Sequence, residues 1–356
     1  MNDIEQRLAQ LERLVAELLD EARKQGASAA EAAVSSDAGL SLNVRLGDTE
    51  TIEHTRDNGL GVTVYFGQRK GSASTSDLSP EAVRETVEAA SNFARYTSED
   101  PCAGLADAAL MATDIPDLDL FHPWDLGVEQ AIERAIACEA AAREQDARIV
   151  NSDGASLSSH NSLQVYGNSH GFIGGYPSSR HSMSCAVVGQ EGQSMQRDYW
   201  YTLSRQGEML ETPEQVGRMA AQRTLARLGA RQIPTQEAPV LFQADVAVGL
   251  LRSFIGAIRG SALYRRASFL LDHLDRQIFP EFVTIREEPL RPRGLGSAPF
   301  DSEGVATRRQ DFVTGGVLRS YVLDSYSARK LGMRSTHNGG GVRNLCINSG
   351  ALDRDG

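Results

Sequence analysis

Apolar residues recur along this chain in two rhythms, one of three and four, the other of two. Ile4, Leu8, Leu11, Leu14, Val15, Leu18 and Leu19 form one stripe, with Arg, Glu and Gln opposite and Gly26 beyond its end. That spacing predicts an amphipathic helix whose stripe packs on a core or meets a partner helix. Alternation then takes over at Leu40, Leu42, Val44 and Leu46, and again at Leu60, Val62, Val64 and Phe66. Turns at Gly47-Asp48 and Asp57-Asn58-Gly59 make this an antiparallel meander. Residues 71–75, Gly-Ser-Ala-Ser-Thr, read as its last strand, with small side chains suited to facing a ligand backbone.

Ser79 caps the next helix, with Pro80 in its first turn and a buried stripe of Val83, Val87 and Ala90. Residues 97–125 are rich in Asp, Pro and Gly and read as an extended connector. A second helix follows at Val128, Ile132, Ala135, Ile136 and Glu139, then an alternating block over 148–207 that predicts four or five strands. That block ends in Thr212-Pro213-Glu214-Gln215-Val216, which echoes Ser79-Pro80-Glu81-Ala82-Val83. The shared [ST]-P-E-x-V start points to an internal duplication of a meander-plus-helix unit, or to helix-capping chemistry alone.

The remainder of the chain is organised around residues 237–272. Val240, Leu241 and Phe242 read as a buried strand; Asp245 reads as the N-cap of a helix with Val248, Leu251, Phe254, Ile255 and Ile258 on its buried face. Further strands are predicted at 305–307, 310–313 and 317–323, the last two joined by a tight turn at Thr314-Gly315-Gly316. The predicted fold class is α+β, with antiparallel or mixed sheets and flanking helices. Its domains are an N-terminal one with connector (1–120), a central one (121–233) and a C-terminal one (234–356), the last ending in the polar, uncapped residues 353–356.

Composition narrows the function. A net charge of -11 and 41% hydrophobic residues describe an ordinary globular protein. Basic residues occur only in short runs, at Arg265-Arg266, Arg291/Arg293 and Arg308-Arg309, so nucleic acid is not an expected partner. The four cysteines form no C-x-x-C pair, and free thiols fit a reducing cytoplasm. The first residues carry early acids and no apolar core of a secretory signal, and no apolar run reaches the roughly 20 residues a bilayer requires.

Candidate chemistry is sparse. His160, His170 and His181 could converge from neighbouring strands on a metal, or be hydrogen-bonded turn histidines. Asp301 and Glu303, two apart on a segment read as extended, could bind a cation, act as acid and base, cap the hairpin or pair with Arg308 and Arg309. Gly339, Gly340 and Gly341, beside the strand-like 343–347, could line a cleft that holds an extended peptide by strand addition, or form a hinge. No G-x-S-x-G elbow is present, and Cys102 has no local histidine.

Seven stretches carry a resemblance: 71–80, 100–104, 118–123, 167–171, 237–272, 299–305 and 325–332. Together, in order and over nearly the whole chain, they resemble the TldD/PmbA metalloprotease family, and within it the PmbA-type (TldE-type) members. The resemblance implies a cytoplasmic zinc protease of two related subunits, TldD-type and PmbA-type, which trims unfolded or extended peptides such as a microcin precursor and an antitoxin. In TldD-type members an H-E-x-x-x-H helix binds the metal. Its positions fall here at Leu251, Arg252 and Gly256, none able to ligate zinc or act as a base. No cofactor is therefore expected in this chain, and zinc is expected in the TldD-type partner. Arg265 and Arg266, which the resemblance retains, are expected to contact a substrate carboxylate or the partner. Two other readings stand beside this one: a stand-alone peptide-binding, chaperone-like homodimer, and an acidic regulator of DNA gyrase.

Overall fold

The computed structural model describes residues 2–348 and 350. Helix α1 (Asn2–Lys24) leads into strands β1 (Ala29–Arg45), β2 (Asp48–Phe66) and β3 (Arg69–Thr75) and helix α2 (Pro80–Tyr96). The same order then recurs as α3 (Val128–Arg143), β4 (Ile149–Asn168), β5 (Ile173–Glu191), β6 (Ser194–Ser204) and α4 (Pro213–Ala226). The two sets build one antiparallel six-stranded sheet in the order β3-β2-β1-β4-β5-β6. Its centre is the long β1–β4 pair, from Glu31 opposite Asn168 to Val44 opposite Ala155.

The period of two in β1 decides the layering. Ala30, Ala32 and Val34 point into a core shared with α1 and α2. Leu40, Leu42 and Val44 share a second core with α3 and α4. All these positions are even, so both helix pairs cover one face of the sheet, and the odd positions, beginning with Glu31, Ala33 and Ser35, face the other way. The duplicated [ST]-P-E-x-V motif begins α2 and α4, capped by Ser79 and by a Thr212–Gln215 capping box. Its recurrence in an α-β-β-β-α unit that occurs twice gives the motif an architectural basis.

The sequence-based boundaries shift where pairing overrides local propensity. Asp57, Asn58 and Gly59 form no turn; they pair with Asp37, Ser36 and Ser35 in the middle of β2. An uninterrupted β1 supplies ladder partners, and these outweigh turn preference. Leu46 sits in the β1–β2 turn with φ 54, not in the strand. The block 148–207 contains three long strands. Gly171 and Gly192 make its turns, while Gly167, Gly174 and Gly175 lie inside β4 and β5.

The last part holds α5 (Ala244–Ile258), α6 (Gly260–Tyr264), β7 (Ile285–Glu287), β8 (Gln310–Thr314), β9 (Val317–Leu318), α7 (Ser325–Lys330) and β10 (Leu345–Ile347). Its sheet runs β10-β7-β8-β9, around a core that includes Ile258, Leu263, Phe312, Leu318 and Leu323. Gly315 and Gly316, at φ 57 and 76, make the two-residue β8–β9 turn, which demands positive φ at both positions. The expected strand at Val240-Leu241-Phe242 does not form. These residues pair with no strand, and Val240 and Leu241 are 68% and 81% exposed. Gln243, without a side-chain bond, is the N-cap of α5. Asp245 pairs instead with Arg223 at 2.9 Å, and Val248 is exposed. Residues 305–306 form only isolated bridges, and β9 is two residues long.

The connector 97–125 is extended, as expected, but bound along its length. Arg329 of α7 donates to the carbonyls of Cys102 (3.1 Å), Gly104 (3.0 Å) and Leu105. Tyr326 donates to Asp100 at 2.6 Å. Tyr166, Phe172 and Phe300 then join the large sheet to the last part, with the Phe172 and Phe300 rings 5.1 Å apart and edge-on. The polar tail 353–356 lies outside the described residues. Among the described residues, no helix is long and apolar enough to cross a membrane.

Candidate functional site

The uncovered face of the large sheet is walled by the last part of the chain, which leaves a cleft. One cavity of about 950 Å³ is lined by Glu31, Tyr65, Ser72, Tyr166, Glu303 and Tyr326. A second, of about 480 Å³, is lined by Ser35, Gln164, Tyr176, Phe300, Asp301 and Arg343. The two share Ala33, Gly61, Ser74, Tyr166 and Ser302, so they form one continuous groove. Its floor is largely small side chains, which let an extended backbone approach closely. The small strand residues of the sequence reading contribute Ser72 and Ser74 to it. Gly71 faces the opposite way, where a Cβ would lie 2.2 Å from the Ala90 carbonyl of α2.

Asp301 and Glu303 lie on a turn, not on an extended segment: the Gly304 N–H donates to the Asp301 carbonyl at 3.1 Å, and Gly304 has φ 75. The Asp301 carboxylate is 2% exposed. It accepts from the N–H groups of Glu303 (2.8 Å), Val305 (3.0 Å) and Gly339 (2.7 Å). Burial raises its pKa, against those three donors and the charge of Arg343. Glu303, which lines the cleft, accepts at Oε2 from the Ser325 N–H (2.9 Å) and hydroxyl (2.8 Å), while Oε1 has no hydrogen-bond partner among the described residues. Burial, opposed by Ser325 and reinforced by Asp301 and Asp324, lifts Glu303 to about 7. The expected pairing with Arg308 and Arg309 does not occur. Arg309 lies 3.9 Å from Glu288, because the turn directs both carboxylates inward.

The glycine run is built into this same turn. Gly339 must be glycine, since a Cβ there would come within 2.8 Å of Asp301 Oδ2. Gly340 and Gly341 take φ values of 80 and 118. Arg343 closes the loop by donating to the carbonyls of Gly341 (2.9 Å) and Gly339 (3.0 Å). Behind it lies Glu287, 1% exposed, accepting from Asn338 (2.7 Å), Gln310 (3.0 Å) and the Arg343 N–H (2.5 Å). Asp301 and Glu303 thus lie at one wall of the cleft, with Gly339 bonded behind Asp301; Gly339, Gly340 and Gly341 are not among the residues that line either cavity.

The opposite wall was not singled out from the sequence. Tyr65 and Tyr166, both buried, donate to the two oxygens of Glu31 at 2.9 and 2.8 Å. Burial, followed by the Glu31 charge, drives both phenols far above their ordinary range. One signal was available: Glu31 is a carboxylate between the apolar even positions of β1, so it had to face the other side. The tyrosines, on other strands, gave none.

Other candidates lie elsewhere. Leu251 packs on the core face of α5, while Arg252 and Gly256 are exposed. Arg265 and Arg266 are exposed too, with Arg265 donating to the Ser261 carbonyl at 2.7 Å; neither lines the cleft described above. The three histidines do not converge. His181 is buried between Ser159 and the His122 carbonyl, His160 meets Ser41 on the opposite face, and His170 meets the Ala106 carbonyl. Among the described residues, no group of three or more His, Cys, Asp or Glu is placed to hold a metal. Leu251, Arg252 and Gly256, the positions at which the resemblance expects a metal helix, carry no side chain that ligates zinc.

Family comparison agrees with this architecture. Models of the PmbA/TldA metallopeptidase match in three parts: domain 1 at 30–94, the central domain at 121–228 and the C-terminal domain at 235–356. Metalloprotease PmbA of Escherichia coli O157:H7 is 51% identical over 318 residues, 89% of this chain and 71% of that protein. The PmbA homolog of Haemophilus influenzae is 48% identical over 343 residues, 96% and 75% of the two chains. A crystal structure from Bacteroides thetaiotaomicron, described as a candidate modulator of DNA gyrase, superposes with a TM-score of 0.89 at 29% identity, covering 95% of this chain and 77% of that one. TldD-type and TldE-type proteins also belong to the group. With matching models over most of its length and half of its residues shared with a PmbA, the chain belongs to the PmbA/TldD metallopeptidase family.

Proposed function

We propose that this chain is the PmbA-type subunit of a two-subunit zinc metalloprotease acting on unfolded or extended peptides, with the zinc held by a TldD-type partner. The observation that carries this reading is the continuous peptide-sized cleft in a chain whose α5 contains no histidine or glutamate. In this reading Leu251, Arg252 and Gly256 occupy the positions that the family's metal helix would use, and none of the three side chains ligates zinc. The groove along the open sheet face meanwhile offers small residues, backbone and a few polar groups, as peptide-binding grooves do.

In this reading the chain binds and orients the peptide. An extended segment lies over Ala33, Gly61 and Ser74, between the Glu31–tyrosine wall and the Asp301–Glu303 wall. Its substrates are unfolded or extended because a segment laid along the sheet face must leave its own backbone groups unpaired. The four cysteines are free, which fits work in a reducing cytoplasm.

The test is peptide hydrolysis by the chain alone and mixed with a TldD-type subunit, with zinc quantified in each sample. Cleavage only in the mixture, with zinc following the partner, is expected. Cleavage by the chain alone with bound zinc overturns the reading. Peptide binding by a homodimer, with no effect of the partner on cleavage, would make it a stand-alone binder.

A further inference from the structure

The smaller cavity differs from the rest of the groove in charge and polarity. Tyr166, Tyr176 and Phe300 give it apolar walls, and Arg343 is the one cation among its lining residues. No carboxylate lies within ion-pair distance of that guanidinium among the described residues. Its nearest acids, Asp301 and Glu287, spend their oxygens on backbone and amide donors. Two guanidinium N–H groups hold the Gly339 and Gly341 carbonyls, and the others have no acceptor among the described residues. The Tyr176 hydroxyl and the Gln164 amide, at the same cavity, also have no hydrogen-bond partner among the described residues. A cation with spare donors beside the aromatic walls of a cavity of about 480 Å³ suits an apolar residue carrying a carboxylate, since guanidinium and carboxylate pair in a fork.

Resting on the peptide reading above, we propose that this cavity is a carboxylate subsite, in which Arg343 takes the carboxylate at the end of an extended peptide and Tyr176 and Phe300 flank its last side chain. The amino-terminal direction of the peptide then runs towards Glu31 and Glu303. The carboxylate is the peptide's terminal one or that of a final Asp or Glu side chain; both present the same fork to Arg343.

The test measures binding of fluorescein-labelled peptides to the full chain by anisotropy. Three probes are used: a peptide ending in Phe with a free carboxylate, its amide, and an amide ending in Glu. The free acid is expected to bind roughly tenfold to a hundredfold more tightly than the Phe amide. Tight binding by the Glu amide as well assigns the site to either carboxylate, and weak binding assigns it to the terminus. Because Arg343 also braces the glycine run, Arg343→Gln is paired with Gln164→Glu, an exposed position without hydrogen bonds. Both variants should bring acid and amide to equal affinity, and a preference for the acid retained in both overturns the subsite. Equal binding of acid and amide by the parent chain overturns the subsite and leaves the peptide reading standing. Binding of none of the probes overturns both.

Discussion

Replacing Glu303 by Gln tests the electrostatics of the cleft wall. A glutamate carried from its ordinary 4.5 to about 7 by burial, with Asp301 and Asp324 beside it, is one whose ionisation the fold opposes, by up to about 3 kcal/mol. The sign follows from linkage. Between these two values the folded chain binds the proton more tightly than the unfolded chain, so stability is fully present below about 4.5 and falls as pH rises through 7. Gln keeps an oxygen for the Ser325 N–H and hydroxyl, and its amino group takes the place of Oε1, which has no hydrogen-bond partner among the described residues. Glu303→Gln should therefore match the parent near pH 4.5 and exceed it at pH 8.5 by several degrees in Tm, on the usual scale of a few degrees per kcal/mol. Differential scanning fluorimetry of both proteins across that range reads the effect. Parallel Tm curves for the two proteins would show that Glu303 ionises without penalty and refute the argument.

Two further changes probe how the parts are joined. Arg329→Ala strips donors from the Cys102, Gly104 and Leu105 carbonyls. It should destabilise by about 2 kcal/mol and speed proteolysis within the connector; unchanged cleavage there would show that α7 does not hold it. Gly217→Ala should lower Tm although alanine favours helices by about 1 kcal/mol. A Cβ at 217 would lie 2.1 Å from the Cys138 carbonyl of α3, and such overpacking costs about 1–3 kcal/mol. A higher Tm would deny the close approach of α3 and α4.

Periodicity made the local elements of this protein legible. The α1 stripe, the alternation in β1, the Ser79 and Thr212 caps and the Gly315-Gly316 turn each depend on residues a few positions apart, so the sequence contains the whole of the determining interaction. The paired [ST]-P-E-x-V motifs even announced the repeated unit. Pairing decided the rest. Asp57-Asn58-Gly59 reads as a turn until β1 lies beside it, and Val240-Leu241-Phe242 reads as a strand until no strand is there to receive it. The cleft shows the same division. Asp301, Glu303 and the glycine run could be picked out because each is locally unusual, yet their bonding to one another spans 38 residues from Asp301 to Gly339. Glu31 meets Tyr166 across 135 residues, and Arg343 reaches the same groove only because the last part folds back over the sheet. Residue type and spacing determine which way a side chain faces within its own element; which distant side chain it meets is set by how the elements pack, because that choice rests on burial shared across the whole chain.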